Sequence, residues 1–413
     1  MNPARFGLLL LLALPIALDA QPCVPPDLTG PAEQVRSIQS QLLAVKLRDE
    51  MDEGVPAALR SRIQAFKDAF AALADTAIQC APANANPKAL GTTLVKLLDA
   101  NKPEVHEVYD PKKPPQLDHI YGDGLQVKVT APANVPHLLF IEFNFGIACG
   151  FDSVLLGYEA NSGAWERILR WQAPAYDSVD AAFGDFFEYQ PLPQAGPKSW
   201  LIAVAHGHPW CTSNMSAFDV DLLQPATVGA PEKTLFHRKF YYRRDTDPVM
   251  KAKPLGFELR MTGESIDGSI VMRPVIYRFQ QQGNALIRVQ PIAMNGRDFV
   301  DEWIQSPWTD ASSWSAASEL VQLERVHAPF AARNDSHAKE FPSAAFGAVR
   351  GCNDAGAHYQ VEADLDWTDQ NGNSRDGGTV YFQIEEGKNS FTMLSASSQP
   401  DQHCKGPDIM PKQ

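Results

Sequence analysis

Ser199-Trp200-Leu201-Ile202-Ala203-Val204-Ala205-His206-Gly207-His208 reads as one extended strand, and Pro209-Trp210-Cys211 ends it. Such a run, without the i, i+3, i+4 spacing of an amphipathic helix, sets the period of the whole central region at two. Leu201-Ile202-Ala203 stands before Cys211 at the same offset as Leu139-Phe140-Ile141 before Cys149. A two-strand pattern recurs in Val154–Leu169, Ala217–His237 and Val275–Val289. A later copy is Val380-Tyr381-Phe382-Gln383-Ile384 followed by Phe391-Thr392-Met393-Leu394.

Working outward, candidate strands follow closely: His137–Gly146, Ser153–Ala160, Trp165–Gln172, Phe183–Pro193, Ser199–His208, Ser216–Gln224 and Lys233–Arg244. Gly256–Gly263, Val271–Gln280 and Ala285–Ala293 complete the series, with Asn161-Ser162-Gly163 and Gln282-Gly283-Asn284 as turns. Units of about 50–60 residues with four strands suggest propeller-like repeats. A β-sandwich followed by a small C-terminal β-rich domain is the other arrangement this spacing permits.

Upstream, the period is 3.6. Val35, Ile38, Leu42 and Val45 draw one apolar stripe, and Leu59, Ile63, Phe66, Phe70, Leu73 and Ala77 draw a second. Gly54 and Pro56 separate them, predicting an antiparallel hairpin of two helices, each about 20 residues and 30 Å long. A third helix has Asn86 as N-cap, Pro87 at its first position, and Asn101-Lys102-Pro103 as its stop. The fold class is therefore α+β: an N-terminal helical hairpin, then a mainly antiparallel β body. The expected divisions are a signal peptide over 1–20, a helical domain over 21–101 and a linker over 102–116. An antiparallel β domain over 117–297, a helical crossover and connector over 298–342, and a β-rich segment over 343–413 follow. In the crossover, Trp303, Trp308 and Trp314 are expected to pack helices onto a sheet.

Met1 to Ala20 carries Arg5, a leucine-rich run from Phe6 to Leu18, and a small residue before Gln21. This reads as a secretory signal, too short for a membrane span. The expected location is secreted or periplasmic, with no membrane span. Six cysteines follow, Cys23, Cys80, Cys149, Cys211, Cys352 and Cys404, with no CxxC pair. In an exported chain they predict disulfides rather than a zinc or redox motif. Spacing alone leaves about 15 connectivities open. Closing the helical hairpin favours Cys23–Cys80, equivalent points of two β units favour Cys149–Cys211, and bracketing of the last segment favours Cys352–Cys404.

The chain of 413 residues is 44% hydrophobic and 21% charged, with a net charge of −13. That balance argues against a nucleic-acid partner and against docking on anionic lipid. There is no HExxH, P-loop or GxGxxG. Gly263-Glu264-Ser265-Ile266-Asp267-Gly268 misses the nucleophile elbow by one position. Asp369-Gln370-Asn371-Gly372-Asn373 begins like a calcium loop but lacks its glycine and its final glutamate, so it reads as a hairpin turn.

The most chemically suggestive residues are His206, His208 and Trp210. Alternation along a strand puts both imidazoles on one face, with Trp210 beside them. Two imidazoles hold a divalent metal only with further ligands. His237 and Asp219 have no positional warrant from sequence, so neither metal nor cofactor is assigned. Carboxylate pairs Asp177/Asp180, Asp185/Glu188 and Asp301/Glu302 exist, but sequence does not place any pair across a groove. The expected function is an exported, disulfide-stabilised binding or scaffold protein with a protein or carbohydrate ligand. The alternative is a secreted hydrolase, carbohydrate- or metal-dependent, centred on His206/His208 or on a carboxylate pair.

Overall fold

The computed structural model describes residues 27–45, 55–79, 81–82, 85–102, 121–133, 135, 137–147, 150–161, 163–176, 186–194, 200–208, 215–227, 231–243, 248–268, 272–282, 285–290, 292–334, 338–353, 357–388 and 390–410. The signal segment, Trp210, Cys23, Cys80, Cys149, Cys211, the pair Asp177/Asp180, Asp185 of the pair Asp185/Glu188, and all of the linker but Lys102 lie outside them.

Helices α1 (Thr29–Leu43), α2 (Ala57–Ile78) and α3 (Pro87–Leu98) form the first layer. The apolar stripes face inward: Val35 and Leu42 from α1, and Leu59, Ile63, Phe66, Phe70 and Leu73 from α2, are all buried. Helix α1, at 15 residues, is shorter than its expected partner match. Helix α3 begins as its residues predict: the Asn86 side chain accepts from Lys88 N, and Pro87 occupies the first turn. Asp99 ends it in the left-handed region at φ 55°. Asn101 then bonds both backbone groups of Val127, tying the helical layer to the first sheet.

The β body is four antiparallel sheets, each a four-stranded meander in chain order. The first holds β1 (Gln126–Thr130), β2 (Leu138–Ile147), β3 (Gly150–Asn161) and β4 (Ala164–Gln172). The second holds β5 (Phe187–Pro193), β6 (Trp200–His208), β7 (Met215–Gln224) and β8 (Lys233–Arg243). The third holds β9 (Val249–Lys253), β10 (Gly256–Glu264), β11 (Met272–Gln282) and β12 (Ala285–Arg288). The fourth holds β13 (Glu340–Gly351), β14 (His358–Asp369), β15 (Ser374–Gly387) and β16 (Ser390–Ser397). Every recurrence of the two-strand pattern falls on the third and fourth strands of one meander. The matched tripeptides before Cys149 and Cys211 lie on the two second strands, β2 and β6.

Alternation along each strand explains the stacking. Phe143 and Phe145 turn toward α2, where Phe70 stacks on Phe143 at 3.8 Å and Phe66 meets Phe145 edge-on at 4.9 Å. Beneath them Lys67 and Asp152 form a buried ion pair at 2.7 Å. On the other face of the first sheet, Phe140 packs against Tyr189 and Trp200 of the second. The opposite face of the second sheet supplies Phe236 and Phe240, which reach Phe279 of the third at 5.3 and 6.2 Å.

After β12 come α4 (Gly296–Gln305), α5 (Trp308–Ala311), a 3-10 turn over Ser312–Trp314, α6 (Leu320–His327) and a 3-10 stretch over Ala328–Asn334. They share a core with the fourth sheet, in which Phe299 stacks on Phe391 at 5.4 Å and Trp303 is fully buried. The tail folds back onto this sheet, held by the Cys352–Cys404 disulfide. Asp369 accepts backbone hydrogen bonds from Asn371 and Asn373, forming the β14–β15 hairpin turn, with Gly372 at φ 83°.

Three expectations need correction. Two edge strands, β1 and β9, were not foreseen, and each is only five residues long. The last strand of the third sheet stops at Arg288 rather than Ala293, because Arg288 turns into the charged contacts with α4 described below. The connector Ala328–Pro342 is structured at both ends, as a 3-10 stretch and as the start of β13.

Candidate functional site

The sheet pairing decides where His206 goes. On the face of β6 turned to the first sheet, Trp200, Ile202 and Val204 join the core, and His206 continues that row. Its neighbours in register are Asp219 on β7 and Phe187 on β5. Asp221, one step along β7, lies opposite His237 of β8. His206 is thus only 2% exposed, because the first sheet covers it. Its Nε2 lies 3.6 Å from Asp221 Oδ2 and 4.0 Å from Asp219 Oδ2, and its ring packs on Trp171 at 4.9 Å.

Asp221 is the hub of this cluster. Trp171 Nε1 donates to its Oδ2 at 3.1 Å, and His237 Nδ1 lies 2.8 Å from its Oδ1. Burial alone would push Asp221 up, but the nearby His206 imidazole and the hydrogen-bonding His237 and Trp171 outweigh it and hold the carboxyl below its ordinary range. His237 is the open end, with 58% of its side chain exposed. So the fold gathers His237 and Asp219, which sequence did not place, around His206. The backbone of His208 pairs with Ala217 at the strand end. Among the described residues no group of three or more His, Cys, Asp and Glu side chains is arranged to hold a metal ion.

A second constellation sits where α4 meets the third sheet. Asp301 and Glu302 are adjacent in the middle of α4 and both buried. Arg273 of β11 bridges them, with Nε 2.6 Å from Asp301 Oδ2 and Nη2 2.7 Å from Glu302 Oε2. Arg288 of β12 reaches Glu302 Oε1 at 2.6 Å and Ser306 Oγ at 3.1 Å, while its guanidinium covers the rings of Tyr277 and Trp314. Ser265, from the near-miss nucleophile motif, donates to Asp301 Oδ2 at 2.6 Å and is buried there. Burial alone would raise Glu302, yet Arg288 and Arg273 hold its carboxyl well below the usual range.

This network borders a cleft of about 360 Å³. One wall is β8, the edge of the second sheet, with Arg238, Lys239 and Tyr241. The other is the C-terminal end of α4, with Glu302, Gln305 and Ser306, and Tyr277 and Glu264 line it from the third sheet. Arg238 is fixed by Asp310 of α5 at 2.7 Å, and Tyr241 is 54% exposed. Burial pushes the Tyr277 phenol up to about 12, so it remains a hydrogen-bond donor throughout the physiological range. Sequence reading missed the cleft because its residues come from four separate segments. The one available signal was Asp301-Glu302 amid the apolar Phe299, Val300, Trp303 and Ile304, since buried carboxylates demand buried cations. Of the other carboxylates flagged from sequence, Glu188 accepts from Met250 N.

No protein-family model matches the chain, and no curated protein sequence matches it.

Proposed function

We propose that this chain is an exported, disulfide-stabilised binding protein that holds a small carbohydrate ligand in the cleft between β8 and α4. The carrying observation is the make-up of that cleft, which is lined by Arg238, Lys239, Tyr241, Tyr277, Gln305 and Ser306, in a space within the range of small-ligand sites, about 300–1,000 Å³. Aromatic faces stack on sugar rings while charged and amide groups bond hydroxyls. Export is supported by the leader-like Met1–Ala20 and by the Cys352–Cys404 disulfide. The test is a thermal-melt panel of neutral and acidic mono- and oligosaccharides. A ligand at about 100 times its Kd adds about 2.7 kcal/mol of stability. At least one sugar should raise the melting temperature of wild type and leave Lys239→Glu and Tyr241→Ala unmoved. A panel without any shift refutes the reading.

A second reading, a secreted hydrolase, is favoured by the His237–Asp221 pair, an exposed imidazole oriented by a carboxylate as a general base is. It predicts turnover of a glycoside or ester panel that His237→Ala abolishes.

A further inference from the structure

We propose that the outer face of the third sheet is a docking surface for the outer face of the fourth sheet of a second copy of this chain. The inner face of the third sheet is consumed by the core shared with the second. Its outer face carries Lys251 and Lys253 on β9, Arg260 on β10 and Arg278 on β11, against only Glu258 and, at the strand end, Glu264. Glu258 lies beneath Arg260, Arg278 and Lys253 at 2.7, 2.8 and 3.6 Å, so a single carboxylate anchors three of the four cations. They remain open to solvent: the Arg260 side chain is 53% exposed and that of Lys253 48%. On a chain of net charge −13 this is a local inversion of sign. Val249 and Ile276, in register with Arg260, add apolar area between the cations.

The fourth sheet presents the complement. Its inner face is consumed by α4 and its neighbours. On the outer face Glu362, Asp364 and Asp366 form a column along β14, with steps of about 7 Å between side chains on one strand face. Asp364 and Asp366 are exposed, and none of the three joins an ion pair among the described residues. Tyr381 and Thr379, opposite Glu362 and Asp364 in register, supply the uncharged part of the face. Lys251 and Lys253 repeat with the same two-residue step along β9, so a lysine column meets a carboxylate column when two such faces stack. Overall negative charge makes the average contact between copies repulsive, and this cationic face reverses that sign locally. Because the two faces differ, the contact is heterologous and continues from copy to copy.

Sedimentation velocity of the full chain tests this. In about 0.05 M salt the mean mass of wild type should rise with protein concentration, and the rise should vanish near 0.5 M salt, where screening is short-ranged. Lys251→Glu with Lys253→Glu should stay monomeric, and so should Asp364→Lys with Asp366→Lys. A mixture of these two variants should associate again, which a folding defect in either does not produce. Lys251→Gln with Lys253→Gln, milder beside Glu258, should weaken association with an unchanged melting temperature. A wild type that remains monomeric at low salt overturns the proposal, as do variants that associate like wild type. A monomer whose lysine face binds soluble dextran sulfate, and loses it in the glutamate variant, assigns the face to a polyanion instead.

Discussion

The first and second sheets are joined by rings, whereas the third sheet and α4 are joined by charges. Phe140, Tyr189, Trp200, Trp171 and Phe187 close the first joint with centroid distances of 5.2 to 5.8 Å in its named pairs. Arg273, Asp301, Glu302 and Arg288 close the second with contacts of 2.6 to 2.7 Å. Aromatic packing is tolerant of small shifts and seals a seam against water. Paired buried charges are directional, and breaking one pair leaves an uncompensated ion. The open cleft lies beside the charged joint, where a fixed geometry is kept without filling the seam. The buried His206 lies at the aromatic joint, where the seam is shut.

The largest expected effect is at the charged joint. Arg273→Ala leaves Asp301 without its cation and Glu302 with Arg288 alone, so its cost should lie in the range of about 3–5 kcal/mol for breaking a buried pair. Denaturant unfolding checks it. Phe140→Ala at the aromatic joint should cost about 3–5 kcal/mol through lost burial and a cavity at any pH. The cost of Arg273→Ala should instead shrink below the ordinary glutamate range, near pH 4.5, because Glu302 has lost one of the two cations that hold its carboxyl down. Equal pH profiles for the two variants would break the comparison.

Removing the tail's disulfide with Cys352→Ala and Cys404→Ala should lower stability by about 2–4 kcal/mol. That loss should be local to the fourth sheet and leave the aromatic joint's hydrogen exchange unchanged. A smaller effect separates the two ends by pH. Burial holds His327 below its ordinary value of 6.5, in contact with the rings of Trp303 and Trp308. A base with a depressed folded pKa contributes stability above pH 6.5 that is lost as pH falls through its folded value. The melting temperature should therefore begin to decline below about pH 6.5, and His327→Gln should flatten that part of the profile. Glu302, also depressed, adds its decline only below the ordinary glutamate range, near pH 4.5.

Much of the architecture was legible because it is periodic. The α2 stripe, the Asn86-Pro87 helix start and the recurring two-strand pattern each rest on spacing within about 20 residues, where one side chain's face predicts the next. Strands β1 and β9 escaped because five residues at a sheet edge give too short an alternation, one beside a proline-rich linker and the other after Arg243. The site was far less legible. His206 was singled out, but its burial depends on a sheet some 50 residues earlier, and Asp221 was not singled out at all. The partners of Asp301 and Glu302, Arg273 and Arg288, lie on other strands, and nothing in the local sequence points from one to the other. Long-range pairing of charges leaves no period to read.

The most direct test of where function lies is hydrogen exchange on the full chain, with and without the strongest sugar from the melt panel. Protection should concentrate on β8 around Arg238–Tyr241 and on the end of α4 from Glu302 to Pro307, and Lys239→Glu should erase it. Protection centred instead on His206, Asp221 and His237 would contradict the account and move the site to the aromatic joint.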